Sequence, residues 1–243
     1  MNKVLYEGKS KIVCEGSDND SLVICYKDTA TAFNGVKKEE LPGKSQLNAS
    51  ISNLIFGYLE KNGIETHLIK VIDDISILVK KAEIVMVEVI VRNTAAGSFS
   101  KKYGIEEGSA LQNKVIEFCL KSDELGDPMI NESQITALGI ASEDELTQMI
   151  KQSWRINDLL CLLFEKANIK LIDFKLEFGR YAAPDGSKRI ILCDEISPDS
   201  CRFWDAATNK KLDKDVFRRN LGDLLKGYRE VLKRLNNLEV KNV

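Results

Sequence analysis

The run from Lys170 to Asp205 limits the possible folds more than any other stretch. It reads Lys-Leu-Ile-Asp-Phe-Lys-Leu-Glu-Phe-Gly, turns through Pro184, Asp185 and Gly186, and returns as Arg-Ile-Ile-Leu-Cys-Asp-Glu-Ile-Ser-Pro-Asp. Ile172, Phe174, Leu176 and Phe178 alternate with Asp173, Lys175 and Glu177. A period of two puts three ionisable groups on one strand face and the apolar set on the other, predicting a β-hairpin with its chemistry on one side. If Asp185-Gly186 is a two-residue loop, Glu177 stands opposite Asp194 with Cβ atoms roughly 5 Å apart. A three-residue loop is the alternative, with Glu195 opposite Glu177. Facing carboxylates destabilise a sheet unless something positive lies between them, and oxygen donors favour a hard cation such as Mg²⁺. Glu177 and Asp194 are therefore candidate metal ligands, against the plainer reading of a solvated polar face on an edge hairpin. The polar loop Ser197-Pro198-Asp199-Ser200-Cys201-Arg202 favours the metal, because a plain hairpin needs only a short exit.

The 243 residues suffice for one large domain or two lobes sharing a cleft. Thirty-five Lys and Arg against 37 Asp and Glu give a net charge of −2, which argues against a general nucleic-acid or membrane-surface binder. No apolar run approaches a membrane span or a signal peptide's hydrophobic segment, so a cytoplasmic protein is expected. The six cysteines form no CxxC pair, which argues against zinc and fits reduced thiols. With His67 the only histidine, catalysis must run on carboxylates, lysines, arginines, backbone dipoles and a metal.

Residues 3 to 14 read as strand, glycine bend, strand, and Leu22 to Tyr26 as a further strand. Lys9 and Lys11 beside Gly8 suit a polyphosphate, although the spacing is not that of a Walker A loop. Asp28 to Gly35 reads as a loop. A helix is predicted from near Ser45 to Gly63, with Lys44 beside its N-terminus in reach of an anion. Strands are predicted at Ile64–Val71, Ile75–Lys80, Glu83–Val91 and Val115–Lys121. Arg92 and Ser98 flank a small-residue turn that fits a phosphate. Ser142 and Glu145 form a capping box opening a helix to about Ala167, and Asp215–Leu235 keeps helical spacing throughout.

In this order the pieces resemble the SAICAR synthetase (phosphoribosylaminoimidazole-succinocarboxamide synthase) family. The resemblance rests on Leu5-Tyr6-Glu7-Gly8-Lys9-Ser10-Lys11, on Val87 to Asn93 with Ala95-Ala96-Gly97-Ser98, on Asp173 to Gly179, and on Asp194 to Arg202. It implies an α+β fold of two lobes related to ATP-grasp and kinase-like folds, residues 1–83 and 84–243, with ATP in the cleft between them. It implies an ATP-dependent ligase joining L-aspartate to carboxyaminoimidazole ribotide with Mg²⁺ and yielding ADP and phosphate, and a homodimer. Residue by residue, it gives Lys9, Lys11, Lys80, Ile84, Glu177 and Asp194 to ATP, the last two also to the metal. Glu88, Arg92, Ser98, Asp173, Lys175, Asp199 and Arg202 go to the ribotide. Asn34, Lys37 and Lys44 go to aspartate, in a segment that departs from the acidic residue and Gly-Lys-Gly of many relatives.

A carboxylate is a poor electrophile until phosphorylated, so an acyl phosphate is the expected intermediate. Mg²⁺ with Lys9, Lys11 and Lys175 neutralises the transferring phosphoryl group. Lys175 and Asp199 are the catalytic candidates, Asp199 as proton acceptor for the aspartate amine unless that amine binds already neutral. A small-molecule kinase and a nucleotide-binding regulatory module are the rival readings.

Overall fold

The structure, a computed structural model, describes residues 3–32 and 35–239. Strands β1 (Val4–Glu7), β2 (Lys11–Glu15) and β3 (Ser21–Tyr26) form a meander, followed by a separate ribbon of β4 (Thr29–Ala32) and β5 (Lys37–Glu40). Helix α1 (Lys44–Lys61) leads to β6 (Leu68–Val71) and β7 (Ser76–Lys80), which complete a sheet in the order β1-β2-β3-β7-β6. The chain then crosses to a second sheet with β8 (Glu83–Thr94), α2 (Gly97–Tyr103), β9 (Ala110–Leu120) and β10 (Met129–Ile130). Helices α3 (Glu132–Ala137) and α4 (Glu143–Lys166) precede β11 (Ile169–Ala182), β12 (Lys188–Cys193) and β13 (Cys201–Asp205). Helices α5 (Asp215–Arg218) and α6 (Leu224–Glu239) close the chain. The second sheet runs β10-β9-β8-β11-β12, with β13 paired to the first half of β11.

Alternation does what the sequence predicts on β8 and β11. Val85, Val87, Val89 and Val91 face the core with Phe174, Leu176 and Phe178, against Leu146, Met149, Ile156, Leu160 and Phe164 of α4. Helix α1 lends Ile51, Ile55, Phe56 and Leu59 to that core. The Ser142–Glu145 capping box is present, with both reciprocal hydrogen bonds.

Several expectations are corrected. The hairpin's first arm is no edge strand, since β11 pairs with β8 on one side and with β12 and β13 on the other, while its second arm, β12, ends the sheet. Its loop has three residues, because Ala183 N–H donates to Ser187 O at 2.9 Å and Gly186 takes φ 81. The register therefore sets Glu177 opposite Cys193, not Asp194 or Glu195, and opposite Glu88 on its other side. Thr29–Ala32 is a strand held by β5, not loop. Ile64–Val71 is extended only from Leu68, with Thr66 bridging to Leu192. The helix expected over Asp215–Leu235 breaks, since Asn220 and Gly222 take φ 56 and 123. The capping box of Asn131 and Gln134 on α3 was not foreseen. Among the described residues no helix is long and apolar enough to cross a membrane.

Candidate active site

A cleft of about 630 Å³ lies between the two sheets. Its floor is the polar face of β8 and β11. Register fixes the order of groups along it: Gly179 pairs with Ile84, Glu177 with Glu88, Lys175 with Ile90 and Asp173 with Arg92. Antiparallel rise puts Arg92 about 14 Å beyond Glu88 along the strand.

At the crossing between sheets, Val13, Leu22, Ile24, Val79, Ala82 and Ile84 give the cleft an apolar end. Gly179 is required there, because a Cβ would meet Ala82 Cβ at 2.8 Å and Cys193 Sγ at 2.9 Å. Lys80 lines this end and binds Glu65 at 3.1 Å and Thr66 O at 3.0 Å.

Next come the ion pairs. The turn at Gly8 brings Lys9 to Asp123 at 2.7 Å, a contact from the first sheet to the loop after β9. Lys11 binds Asp194 and, at 3.0 Å, Glu195. Burial works against the charged lysine, but Asp194 and Glu195 hold its affinity for the proton above the ordinary value. Asp194 follows the end of β12 with φ 60, a left-handed conformation rare outside glycine, which turns its side chain into the cleft. Burial opposes its ionisation, yet Lys11 and Lys175 keep it well below the usual carboxylate range. Lys175 bridges Glu88 at 2.7 Å and Glu177 at 2.6 Å, and Lys121 reaches Glu177 at 2.9 Å. Burial disfavours the Lys175 ammonium, but Glu177, Asp194 and Glu88 raise its pKa well above normal.

At the far end Arg92 binds Glu117, Asp173 at 2.8 Å and Ser98 Oγ at 3.2 Å. Asp173 also holds Arg202 at 2.9 Å, which reaches Asp215 at 3.0 Å. Arg218 reaches the same corner through Asp215 at 2.7 Å.

Asp199 lies deeper. Its Oδ2 takes Lys44 at 2.7 Å and Lys214 at 3.3 Å, while Tyr228 donates to Oδ1. Lys44 is fully buried because Asp28 caps the start of α1, accepting from Ser45 N–H at 2.9 Å and Gly43 N–H at 3.3 Å. Burial raises the Asp199 carboxyl, but Lys214 and Lys44 outweigh it and hold it far below normal. So anchored, Asp199 is a weak proton acceptor.

The cleft thus gathers Lys9, Lys11, Lys80, Ile84, Glu88, Arg92, Ser98, Asp173, Lys175, Glu177, Asp194, Asp199 and Arg202. Of the residues expected for aspartate, Lys44 sits behind Asp199, and Lys37 lies elsewhere, bound to Asn220 Oδ1 at 2.8 Å and stacked on Phe217. Asn34 lies outside the described residues. Lys121, Glu195, Lys214 and Arg218 are additions. Lys214, between Asp213 and Asp215, carries no motif; only the folded chain brings it to Asp199 beside Lys44.

Lysines facing carboxylates across a cleft between two sheets of an α+β chain are the arrangement of enzymes that handle a nucleotide polyphosphate. The comparisons are specific. A family model described as SAICAR synthetase matches residues 4–235. The phosphoribosylaminoimidazole-succinocarboxamide synthase of Clostridium novyi (strain NT) is 52% identical over 235 residues, 97% of this chain and 98% of that one. That of Finegoldia magna is 52% identical over 231 residues, covering 95% and 98%. The crystal structure of the synthase from Ehrlichia chaffeensis superposes with TM-score 0.93 at 43% identity, covering 96% and 98%. A SAICAR synthetase in complex with ADP gives 0.90 at 44%, covering 96% and 97%. The chain belongs to the SAICAR synthetase family. It is an ATP-dependent ligase of purine biosynthesis, and the kinase reading falls away.

Proposed function

We propose that the cleft binds ATP, carboxyaminoimidazole ribotide and L-aspartate in one line along β8 and β11 and joins the last two through an acyl phosphate. The observation that carries this reading is the register. It supports the adenine between Ile84 and Lys80 and the phosphates against Lys9 and Lys11. The ribotide carboxyl lies near Lys175, and its 5′-phosphate at Arg92, Ser98 and Arg202. Asp173 and Glu88 orient the two cations that meet the ribotide. The division of lobes at residues 1–83 and 84–243 belongs to this proposal, supported by the change of sheet between Lys80 and Glu83.

Mg²⁺ fits the residues present. Glu177 and Asp194 offer oxygen donors with cations beside them, and the buried Glu195 Oε2 lacks a hydrogen-bond partner. Two carboxylates are the protein share that Mg²⁺ ordinarily takes, with phosphate oxygens and water completing its shell. Glu177 and Asp194 would hold it, and when bound it supplies charge neutralisation for phosphoryl transfer. Lys11 and Lys175 stabilise the developing charge, and Lys175 orients the accepting carboxylate. Asp199 positions Lys44 and Lys214 for the aspartate side.

A homodimer is part of the proposal. Val4 and Tyr6 on β1 and Ile69 and Val71 on β6, the two outer strands of the first sheet, leave apolar side chains exposed that a second copy could cover. Six unpaired cysteines support a cytoplasmic setting. The test is ADP release with and without ribotide and aspartate: sustained release requires both substrates. Release sustained by ribotide alone, or none with all three, would refute the ligase scheme.

A further inference from the structure

The aspartate ammonium must lose a proton before its nitrogen can attack, and the residue first expected to take it, Asp199, is the wrong partner. Its carboxylate is fixed by Lys44, Lys214 and Tyr228. Two ammonium groups on a single buried oxygen leave the cluster with excess positive charge, and Arg218 lies one helical turn from Lys214. Lys44 is enclosed and sits at 2.7 Å from Oδ2; Lys214 is looser at 3.3 Å and faces the cleft. Lys214 is thus the group that can exchange a proton with a substrate.

We propose that Lys214 takes the proton from the α-ammonium of aspartate, freeing the amine to attack the activated ribotide carboxyl. This rests on the ligase reading above. The surroundings favour it. Burial pushes the Lys214 ammonium below its ordinary pKa; Asp199 opposes this, Lys44 and Arg218 add to it, and Glu195 opposes. Of the two acids beside Lys214 in the chain, Asp215 is occupied by Arg202 at 3.0 Å and Arg218 at 2.7 Å, and the fully buried Asp213 accepts from Phe203 N–H at 2.9 Å and Asp215 N–H at 2.7 Å. Cations that neither ATP nor the ribotide phosphate requires also suit a substrate arriving with two carboxylates.

The step balances. Neutral Lys214 Nζ accepts one ammonium proton. The freed lone pair forms the C–N bond to the acyl carbon, the C–O bond to phosphorus-bound oxygen breaks, and its electron pair leaves with phosphate. The second proton lost from nitrogen ends on that phosphate.

The test compares wild type with Lys214→Arg and Lys214→Met, using aspartate or hydroxylamine as nucleophile. Hydroxylamine is neutral near pH 7 and needs no base. Lys214→Arg keeps a cation on Asp199 but cannot surrender its proton, so it serves even if Lys214→Met does not fold. With aspartate, kcat should fall about 10²- to 10⁴-fold in both variants, and the acid limb of the pH profile should disappear. Hydroxamate formation should stay within about threefold of wild type. Equal loss with both nucleophiles, loss confined to the KM for aspartate, or no loss would each overturn the proposal. Hydroxamate formation by wild type reads the acyl-phosphate scheme separately, so the two failures are distinguishable.

Discussion

Glu177 on β11 lies directly opposite Glu88 on β8, and the Lys175 ammonium bridges them at 2.6 Å and 2.7 Å. Two carboxylates paired across a ladder repel unless a cation lies between them. Lys175 is therefore positioned by the same charges it neutralises.

Replacing Glu177 by Gln keeps the shape and removes one charge. Ribotide dissociation constants, measured by calorimetry, should change by less than about threefold because Arg92, Ser98 and Arg202 are untouched, while turnover should fall at least about 100-fold. Near-normal turnover would take Glu177 out of the phosphoryl site.

Gly97 begins α2 at φ 57, and a Cβ there would meet Arg202 Nη2 at 2.3 Å. Gly97→Ala must move the guanidinium off Asp173 and strain the backbone by about 1–2 kcal/mol. Steady-state kinetics should show the KM for ribotide rising at least about tenfold with that for ATP nearly unchanged. A parallel rise in both would mean that the variant disturbs the whole cleft instead.

What the sequence revealed was local. The alternation of Phe174 to Phe178 and the Ser142–Glu145 box are each decided by neighbours within a few residues and are present as expected, whereas an irregularity between Leu171 and Asp173 sends Ile172 out of the main core to Ala96 and Trp204. The partner of Glu177 was not local. It depends on a bulge between Glu177 and Gly179 in the β8 ladder and on a loop one residue longer than Asp185-Gly186 suggests. A single-residue slip there exchanges Asp194 for Cys193. Asp194 still enters the cleft, through its own left-handed backbone and not through the pairing. Lys121, Lys214 and Arg218 sit on a strand end and a one-turn helix with no pattern of their own. Tertiary packing alone makes them part of the site. Asn220 and Gly222 did signal the break between α5 and α6, but the apolar spacing across them reads as continuous.

Away from the cleft, Glu145 holds Arg180 through Nε at 2.6 Å and Nη2 at 3.0 Å. The Arg180 hydrogen bonds lower its pKa to about 2 against the opposing effect of burial. A depressed carboxylate contributes stability above its unfolded pKa, near 4.3, and loses it as pH falls through the folded value. Glu145→Gln should therefore cost about 2 kcal/mol at pH 7, allowing for solvent screening of this partly exposed pair. Urea unfolding should show the gap between wild type and variant narrowing from about pH 4.5 downward and nearly closed by about pH 2. A gap independent of pH would assign the loss to the helix cap.

Asp199 offers the most direct check on how the aspartate side is built. Lys44 is fully buried and has Asp199 as its ion-pair partner at 2.7 Å. Asp199→Asn leaves that ammonium uncompensated beside Lys214, and breaking a buried pair from one side costs about 3–5 kcal/mol. Removing both charges is far less costly, so Lys44→Met combined with Asp199→Asn should recover at least about 1 kcal/mol over Asp199→Asn alone. Urea midpoints at constant m-value measure both differences. If the double variant is no more stable than Asp199→Asn, the Lys44–Asp199 pair is not what anchors this corner, and the charge argument for Lys214 weakens with it. If it recovers, loss of activity in Asp199→Asn reports a collapsed charge cluster and not a missing base.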